Sequence, residues 1–133
     1  MTYQQLKNLR FLKNEIRYLK RKIDECEKNV GALCSPSFTE VHSAAANISQ
    51  PEREAESIDE LRALYAERLK TYNEELIKAE RFIAEISDSY TRLIFSLRFI
   101  DGCSWQKIAT TVGGNNTADN MRKVVFRYVK KHL

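Results

Sequence analysis

The stretch SWQKIATTVGGNNT, residues 104–117, predicts two helices joined by a glycine turn in the last third of the chain. Ser104 and Thr117 are residue types that cap helix starts, because the side-chain oxygen accepts from a free backbone N–H of the first turn. Gly113 and Gly114 tolerate the positive φ that ends one helix and turns the chain. Apolar residues recur at helical spacing on both sides of this turn, at Trp105, Ile108, Ala109 and Val112 and then at Met121, Val124, Val125, Tyr128 and Val129. Both helices therefore have an inner face that must be buried, and we interpret Trp105 as a core residue.

A third helix is predicted immediately before this pair. Ser87 or Asp88 is its N-cap, and Asp101-Gly102 ends it. Its predicted apolar face consists of Tyr90, Leu93, Ile94, Leu97, Phe99 and Ile100. Three short helices with shared apolar faces make a core of the size usual for a helix-turn-helix domain.

The pair of helices has the features of a DNA-binding helix-turn-helix. Ala109 is small where the two helices would cross, and the polar first turn of the last helix would face the bases. The predicted DNA-binding residues are Asn116, Thr117, Ala118, Asp119, Asn120, Arg122, Lys123, Arg127, Lys130 and Lys131. Arg122 is expected to hydrogen-bond guanine, and Asn116 or Asn120 to hydrogen-bond adenine. Asp119 is expected to accept a hydrogen bond from cytosine or to repel the DNA where the helix is wrongly placed. The later Arg127, Lys130 and Lys131 are assigned to phosphates, which position the protein without specifying a sequence.

The first 86 residues predict two long helices with heptad stripes. The first runs from about Gln4 to Ala32, and the second from about residue 58 to 86, after a capping-box pattern at Ser57–Glu60. The stretch 34–56, with Pro36 and Pro51, is predicted to be a loop. The two helices pair antiparallel as a hairpin or pair between chains, and the heptads leave both arrangements open.

Charge is distributed unevenly along the chain. Residues 87–133 carry eight basic and three acidic residues, a net charge of +5, whereas residues 35–86 carry six basic and eleven acidic residues, a net charge of −5. The basic end coincides with the predicted helix-turn-helix, which favours an acidic partner such as DNA. The first helix is basic and the second acidic, so the two attract each other.

Several classes of protein are not indicated. The apolar runs are too short for a membrane span, and the N-terminus lacks the apolar region of a secretory signal. Three cysteines without a CxxC pair fit a reducing cytoplasm and argue against a zinc site. No catalytic or phosphate-loop motif occurs. We therefore expect a cytoplasmic protein that is not an enzyme and needs no cofactor or metal.

The run RLIFSLRFIDGCSWQKIA, residues 92–109, resembles the opening of region four of bacterial sigma factors. With its coiled coil, the chain is similar to small sigma-like regulators encoded by phages and prophages of Gram-positive bacteria, some of which activate late or packaging genes. The resemblance implies a base-facing set of Thr117, Ala118, Asp119, Arg122 and Lys123. The turn at residues 113–116 is two residues longer than the usual sigma turn. The chain has no recognisable region two, so a complete sigma factor is not indicated.

These observations predict an all-α fold, with a long antiparallel coiled-coil hairpin over residues 1–86 and a three-helix sigma-region-four-like domain over residues 87–133. The predicted function is that of a sequence-specific transcription regulator whose partners are double-stranded DNA and a second copy of the chain, as a homodimer. Contact with RNA polymerase is left open. The alternatives are a small terminase-like packaging subunit, or a sigma-like module that docks on RNA polymerase without gripping DNA.

Overall fold

The computed structural model describes residues 1–33 and 49–133, and it describes side chains for residues 1–29 and 56–133. Within these ranges the chain is helical and contains no strand, so the prediction of an all-α fold is confirmed for the described residues. The elements in chain order are α1 (Tyr3–Leu33), α2 (Ser49–Ala84), α3 (Ser89–Phe95), a π-helical segment (Ser96–Ile100), α4 (Trp105–Val112) and α5 (Ala118–His132).

The second long helix begins earlier than its sequence predicts. Helix α2 starts at Ser49, so the capping-box pattern that begins at Ser57 lies inside the helix, and its prediction as a helix start is wrong. Pro51 does not stop the helix because it lies in the first turn, where the missing N–H would have no intrahelical partner. The predicted loop 34–56 is therefore wrong for residues 49–56, and the rest of that prediction lies outside the described residues.

The described residues divide into two compact units. One unit joins Met1–Lys13 to Thr71–Leu133, and the other is Asn14–Lys70. In the second unit, α1 and α2 run in opposite directions. Arg68 Nε contacts Glu15 Oε1 at 2.9 Å, whereas Arg62, earlier in α2, contacts Glu27, later in α1.

The interior of the second unit is formed by the predicted apolar stripes. Leu19, Ile23 and Ile58 are buried there. Arg62 interrupts the second stripe, and the ion pair with Glu27 gives its charge a partner. The ion pairs of this unit lie at the surface, where solvent screens them, so burial of the stripes contributes more to the pairing.

The other unit has one apolar core built from all five α-helices. Phe95 is fully buried at its centre, and its ring centroid lies 5.2 Å from that of Tyr128 and 5.4 Å from that of Phe99. The buried residues around it are Leu6, Leu9, Ala79, Ile83, Ile86, Ile94, Ile108, Ala109, Met121 and Val125. The three C-terminal helices, predicted as a domain of their own, therefore share their core with the start of α1 and the end of α2. Leu6 and Leu9 cover an apolar side that three short helices alone would leave exposed.

The inner face of α3 is rotated from its predicted position. Tyr90 and Leu93, predicted to be internal, are 39% and 46% exposed, whereas Phe95 is fully buried. Thr91 is also buried, and its hydroxyl donates to the carboxylate of Asp88, which caps the helix. Because most residues of this stretch are apolar, their spacing alone allows more than one face of the helix to be the buried one. The Phe95 ring takes the interior because it buries more apolar area than Leu93 and, unlike Tyr90, carries no hydroxyl that needs a partner.

Helix α1 is tied to the end of the π-helical segment by one polar contact. Lys13 Nζ donates to the backbone carbonyls of Ile100 and Asp101, at 3.0 and 3.3 Å. The cation therefore satisfies carbonyl groups that have no partner inside the segment, and it places the first turns of α1 beside residues 96–101.

Candidate nucleic-acid interface

Helix α4 begins and ends as its sequence predicts. Ser104 is the N-cap, and its hydroxyl accepts from the backbone N–H of Lys107 at 3.2 Å. Gly113 follows the last turn with φ +79°, and its N–H donates to the carbonyl of Ala109 at 3.1 Å. Ile108 and Ala109 are buried, which sets α4 against the core with its start open to solvent.

The elongated turn between α4 and α5 is held by Asn116. The amide nitrogen Nδ2 donates to the carbonyl of Gly113 at 2.8 Å, and Oδ1 accepts from the Tyr90 hydroxyl at 3.3 Å. Thr117 then caps α5, because its hydroxyl accepts from the N–H of Asn120 at 3.2 Å. Both polar ends of the Asn116 side chain therefore make hydrogen bonds inside the protein, and its role as an adenine reader stays a prediction.

Helix α5 separates apolar from charged side chains. Met121 and Val125 are fully buried against the core. The outer face exposes the predicted DNA-binding residues Asp119, Asn120, Arg122, Lys123, Arg127, Lys130 and Lys131. Thr117 is exposed at the helix start and Ala118 is half-buried. The structure therefore brings the five predicted cations together on one exposed helix.

Two of these cations share one carboxylate. Asp119 Oδ1 lies 2.9 Å from Arg122 Nη2, and Asp119 Oδ2 lies 3.0 Å from Lys123 Nζ. The hydrogen bond from Lys123 and its charge, with the same two contributions from Arg122, hold the pKa of Asp119 below its ordinary value. An anion that binds Arg122 or Lys123 must therefore compete with Asp119, whereas Arg127 has no carboxylate within 4 Å among the described residues.

A shallow groove of about 240 Å³ opens at the junction of α4 and α5. Trp105, Ala118, Asp119 and Arg122 line it. Trp105 is half-buried and packs on the core with one side, so the prediction that it is a core residue holds for part of its surface only. Its exposed part lies beside the start of α5.

Arg98 is a residue of this region that the sequence did not single out. The carbon at the centre of its guanidinium lies 4.1 Å from the centre of the Trp105 ring, and its Nη1 donates to the carbonyl of Cys103 at 3.0 Å. The signal that could have found it is the short Gly102 turn, with φ +73°, which folds the segment carrying Arg98 back onto the start of α4. Arg98 thus supports the tryptophan that lines the groove.

No protein-family model, curated protein or solved structure matches the chain. Among the helices of the described residues, none has the length and apolar character to cross a membrane. In the same residues, no three histidine, cysteine or acidic side chains lie together in a way that could hold a metal ion. The exposed face of α5 and its surroundings are the candidate functional site.

Proposed function

We propose that the chain is a sequence-specific, DNA-binding transcription regulator of the phage or prophage type. In this proposal α4, the glycine turn and α5 form a sigma-region-four-like helix-turn-helix, and α5 is the recognition helix that enters the major groove. The observation that carries the proposal is the exposed basic face of α5, opposite buried Met121 and Val125. A helix that packs on the core with one face and exposes cations on the other can bind in a DNA groove, whose edges are lined by phosphates.

The proposed contacts divide along the length of α5. Arg122 and Asn120 lie near its start and are exposed, so they can reach base edges, with Arg122 suited to guanine and Asn120 to adenine. Arg127, Lys130 and Lys131 lie further along and contact phosphates. Asp119 releases Arg122 and Lys123 when the helix docks, because bases and phosphates then offer those cations new acceptors.

The rest of the chain is proposed to be a coiled-coil hairpin that presents a partner surface. The opposed ion pairs Arg68–Glu15 and Arg62–Glu27 support pairing of the two long helices within one chain. A second copy or RNA polymerase would then bind the outside of this hairpin. A palindromic DNA site would indicate a two-fold dimer, because half-site symmetry mirrors protein symmetry.

Selection of bound duplexes from a randomised pool tests the proposal. We expect one sequence to be enriched, and we expect Arg122→Ala and Lys123→Ala to weaken binding to it in gel-shift titrations. Lys20→Ala is the matched control, because Lys20 is an exposed cation on α1. Enrichment of no sequence, together with unchanged binding by both α5 variants, would refute the proposal.

The same preparation separates the alternatives. Multi-angle light scattering that showed a ring of many subunits would favour a small terminase-like protein. Weak DNA binding with little dependence on salt would favour a module that docks on RNA polymerase. Binding dominated by six or more phosphate contacts instead loses roughly a thousandfold between 50 and 200 mM salt.

A further inference from the structure

Two arginines outside α5, Arg10 and Arg98, belong to the same compact unit. The guanidinium of Arg98 lies over the Trp105 ring, and the side chain of Arg10 in α1 is half-buried. Burial, followed by the nearby charge of Arg10, lowers the pKa of Arg98. Among the described residues, no carboxylate oxygen lies within 4 Å of either guanidinium. Two like charges held together in this way favour an anion between or beside them.

The stack on Trp105 fixes the orientation of Arg98. One nitrogen of its guanidinium donates to the carbonyl of Cys103, and the central carbon of the guanidinium lies over the Trp105 ring. A held guanidinium loses less conformational freedom on binding than a free side chain does, and its fork matches the oxygens of a phosphate. The guanidinium of Arg98 is therefore preorganised to bind an oxyanion.

The start of α1 also lies beside the exposed face of α5. The ring centroid of Tyr3 lies 5.7 Å from that of Phe126, which is 47% exposed one turn after Arg122. Lys7 Nζ lies 5.3 Å from the centre of the Tyr3 ring. Trp105, on which Arg98 stacks, lines the groove at the start of the same helix. Two separate contacts thus place cations of α1 and of the π-helical segment next to the face assigned to DNA.

We propose that Lys7, Arg10 and Arg98, here called the lateral patch, bind backbone phosphates of the duplex that flank the bases read by α5. The proposal rests on the proposed DNA-binding function and adds a second contact surface to it. The lateral patch extends the basic surface of α5 onto the first helix of the chain. It supplies affinity without base preference, since phosphates carry no sequence information. The core shared by α1 and the C-terminal helices holds the two surfaces in one unit.

Salt titrations of the full-length chain test the lateral patch. Arg10→Gln is the main variant, because it removes the charge and keeps a polar side chain. We expect it to weaken binding to the selected duplex and to a scrambled duplex by the same factor, measured by fluorescence anisotropy. The slope of log affinity against log salt should become shallower by about 0.9 for each phosphate that the variant no longer binds. Lys7→Gln should act in the same direction.

Arg17→Gln is the matched control, because Arg17 is an exposed cation on the same helix and belongs to the other compact unit. It makes the same change of charge and should leave the salt slope of wild type unchanged. Arg98→Lys keeps the charge but removes the planar stack on Trp105, and we expect weaker binding with an unchanged circular dichroism spectrum.

Duplexes with a single neutral methylphosphonate identify the phosphate that the patch binds. At a flanking phosphate, the modification should weaken wild-type binding and have no further effect on the Arg10→Gln variant. If Arg10→Gln keeps wild-type affinity and slope while Arg122→Ala weakens binding, the lateral patch is refuted and the proposed function stands. If neither variant changes binding, the proposed function fails and the lateral patch fails with it.

Discussion

The carboxylate of Asp119 pairs with the guanidinium of Arg122 at 2.9 Å on the exposed face of α5. The second carboxylate oxygen pairs with Lys123 at 3.0 Å. An acidic residue in the first turn of a helix is favoured by the helix dipole, and here it also pairs with the two cations that we propose to face the bases. The start of α5 therefore carries two cations that share one carboxylate, whereas no ion pair of Arg127, Lys130 or Lys131 is found within the described part of the chain.

Removal of the Asp119 carboxylate should raise the affinity for DNA and lower the preference for the selected sequence. In Asp119→Asn, Arg122 and Lys123 lose their internal partner and are available to any phosphate. We expect tighter binding to a scrambled duplex and a smaller ratio between the affinities for selected and scrambled duplexes. Competition binding at fixed salt measures both quantities. Glu80→Gln, at an exposed acidic position of α2, controls for the change in net charge, and equal effects of the two variants would contradict a local role for Asp119.

Asn116→Ala should loosen the turn without changing the sequence that is selected. The substitution removes the hydrogen bonds to the Gly113 carbonyl and from the Tyr90 hydroxyl, and we expect a loss of about 1 kcal/mol in the free energy of unfolding. Asn120→Ala should behave in the opposite way, with little loss of stability and an altered selected sequence. Urea denaturation and duplex selection measure the two effects. A changed base preference in the Asn116 variant would support the role predicted from sequence.

Phe95→Ala should be severely destabilising, because it empties the centre of the core that all five α-helices share. Replacement of a buried phenylalanine by alanine costs about 3–5 kcal/mol, through reduced burial and the cavity left behind. Leu93→Ala, two residues earlier on the exposed side of α3, should cost less than about 1 kcal/mol. Urea denaturation distinguishes the two variants, and a larger loss at Leu93 would mean that the face predicted from sequence is the internal one.

The N-cap of α3 should contribute to stability in a pH-dependent way. The hydrogen bond from the Thr91 hydroxyl, then that from the Thr91 N–H, lowers the pKa of Asp88 in the folded protein. The extra stability is therefore present above the unfolded pKa and is lost as the pH falls through the lower, folded pKa. Asp88→Asn keeps a capping side chain but removes the titration. We expect the stability difference between wild type and Asp88→Asn, from urea denaturation at neutral and acidic pH, to disappear in acid. A difference that stayed constant with pH would contradict this role.

Local chemistry made much of the fold predictable. The helix ends are set by hydrogen bonds between residues no more than four apart, at Ser104, Gly113 and Thr117. The start and end of α4 and the start of α5 can therefore be predicted from the sequence. The long first helix follows from its heptad stripe for the same reason. The early start of α2 was missed because the capping pattern at Ser57 is also a local signal. Such a pattern can lie inside a helix that begins earlier, where it caps nothing.

By itself, the sequence determined that the described chain is all-helical, where the last two helices are capped, and that α5 is basic on one side, but not where α2 begins. Only the tertiary structure decided which face of α3 is internal, because Tyr90, Leu93 and Phe95 are all apolar and packing against Tyr128 selects among them. It also decided that the guanidinium of Arg98 lies over the Trp105 ring and that α1 shares a core with the C-terminal helices. The spacing of apolar residues along a helix indicates which of its faces can be buried. How two helices pack against each other depends instead on which buried side chains fill the space between them.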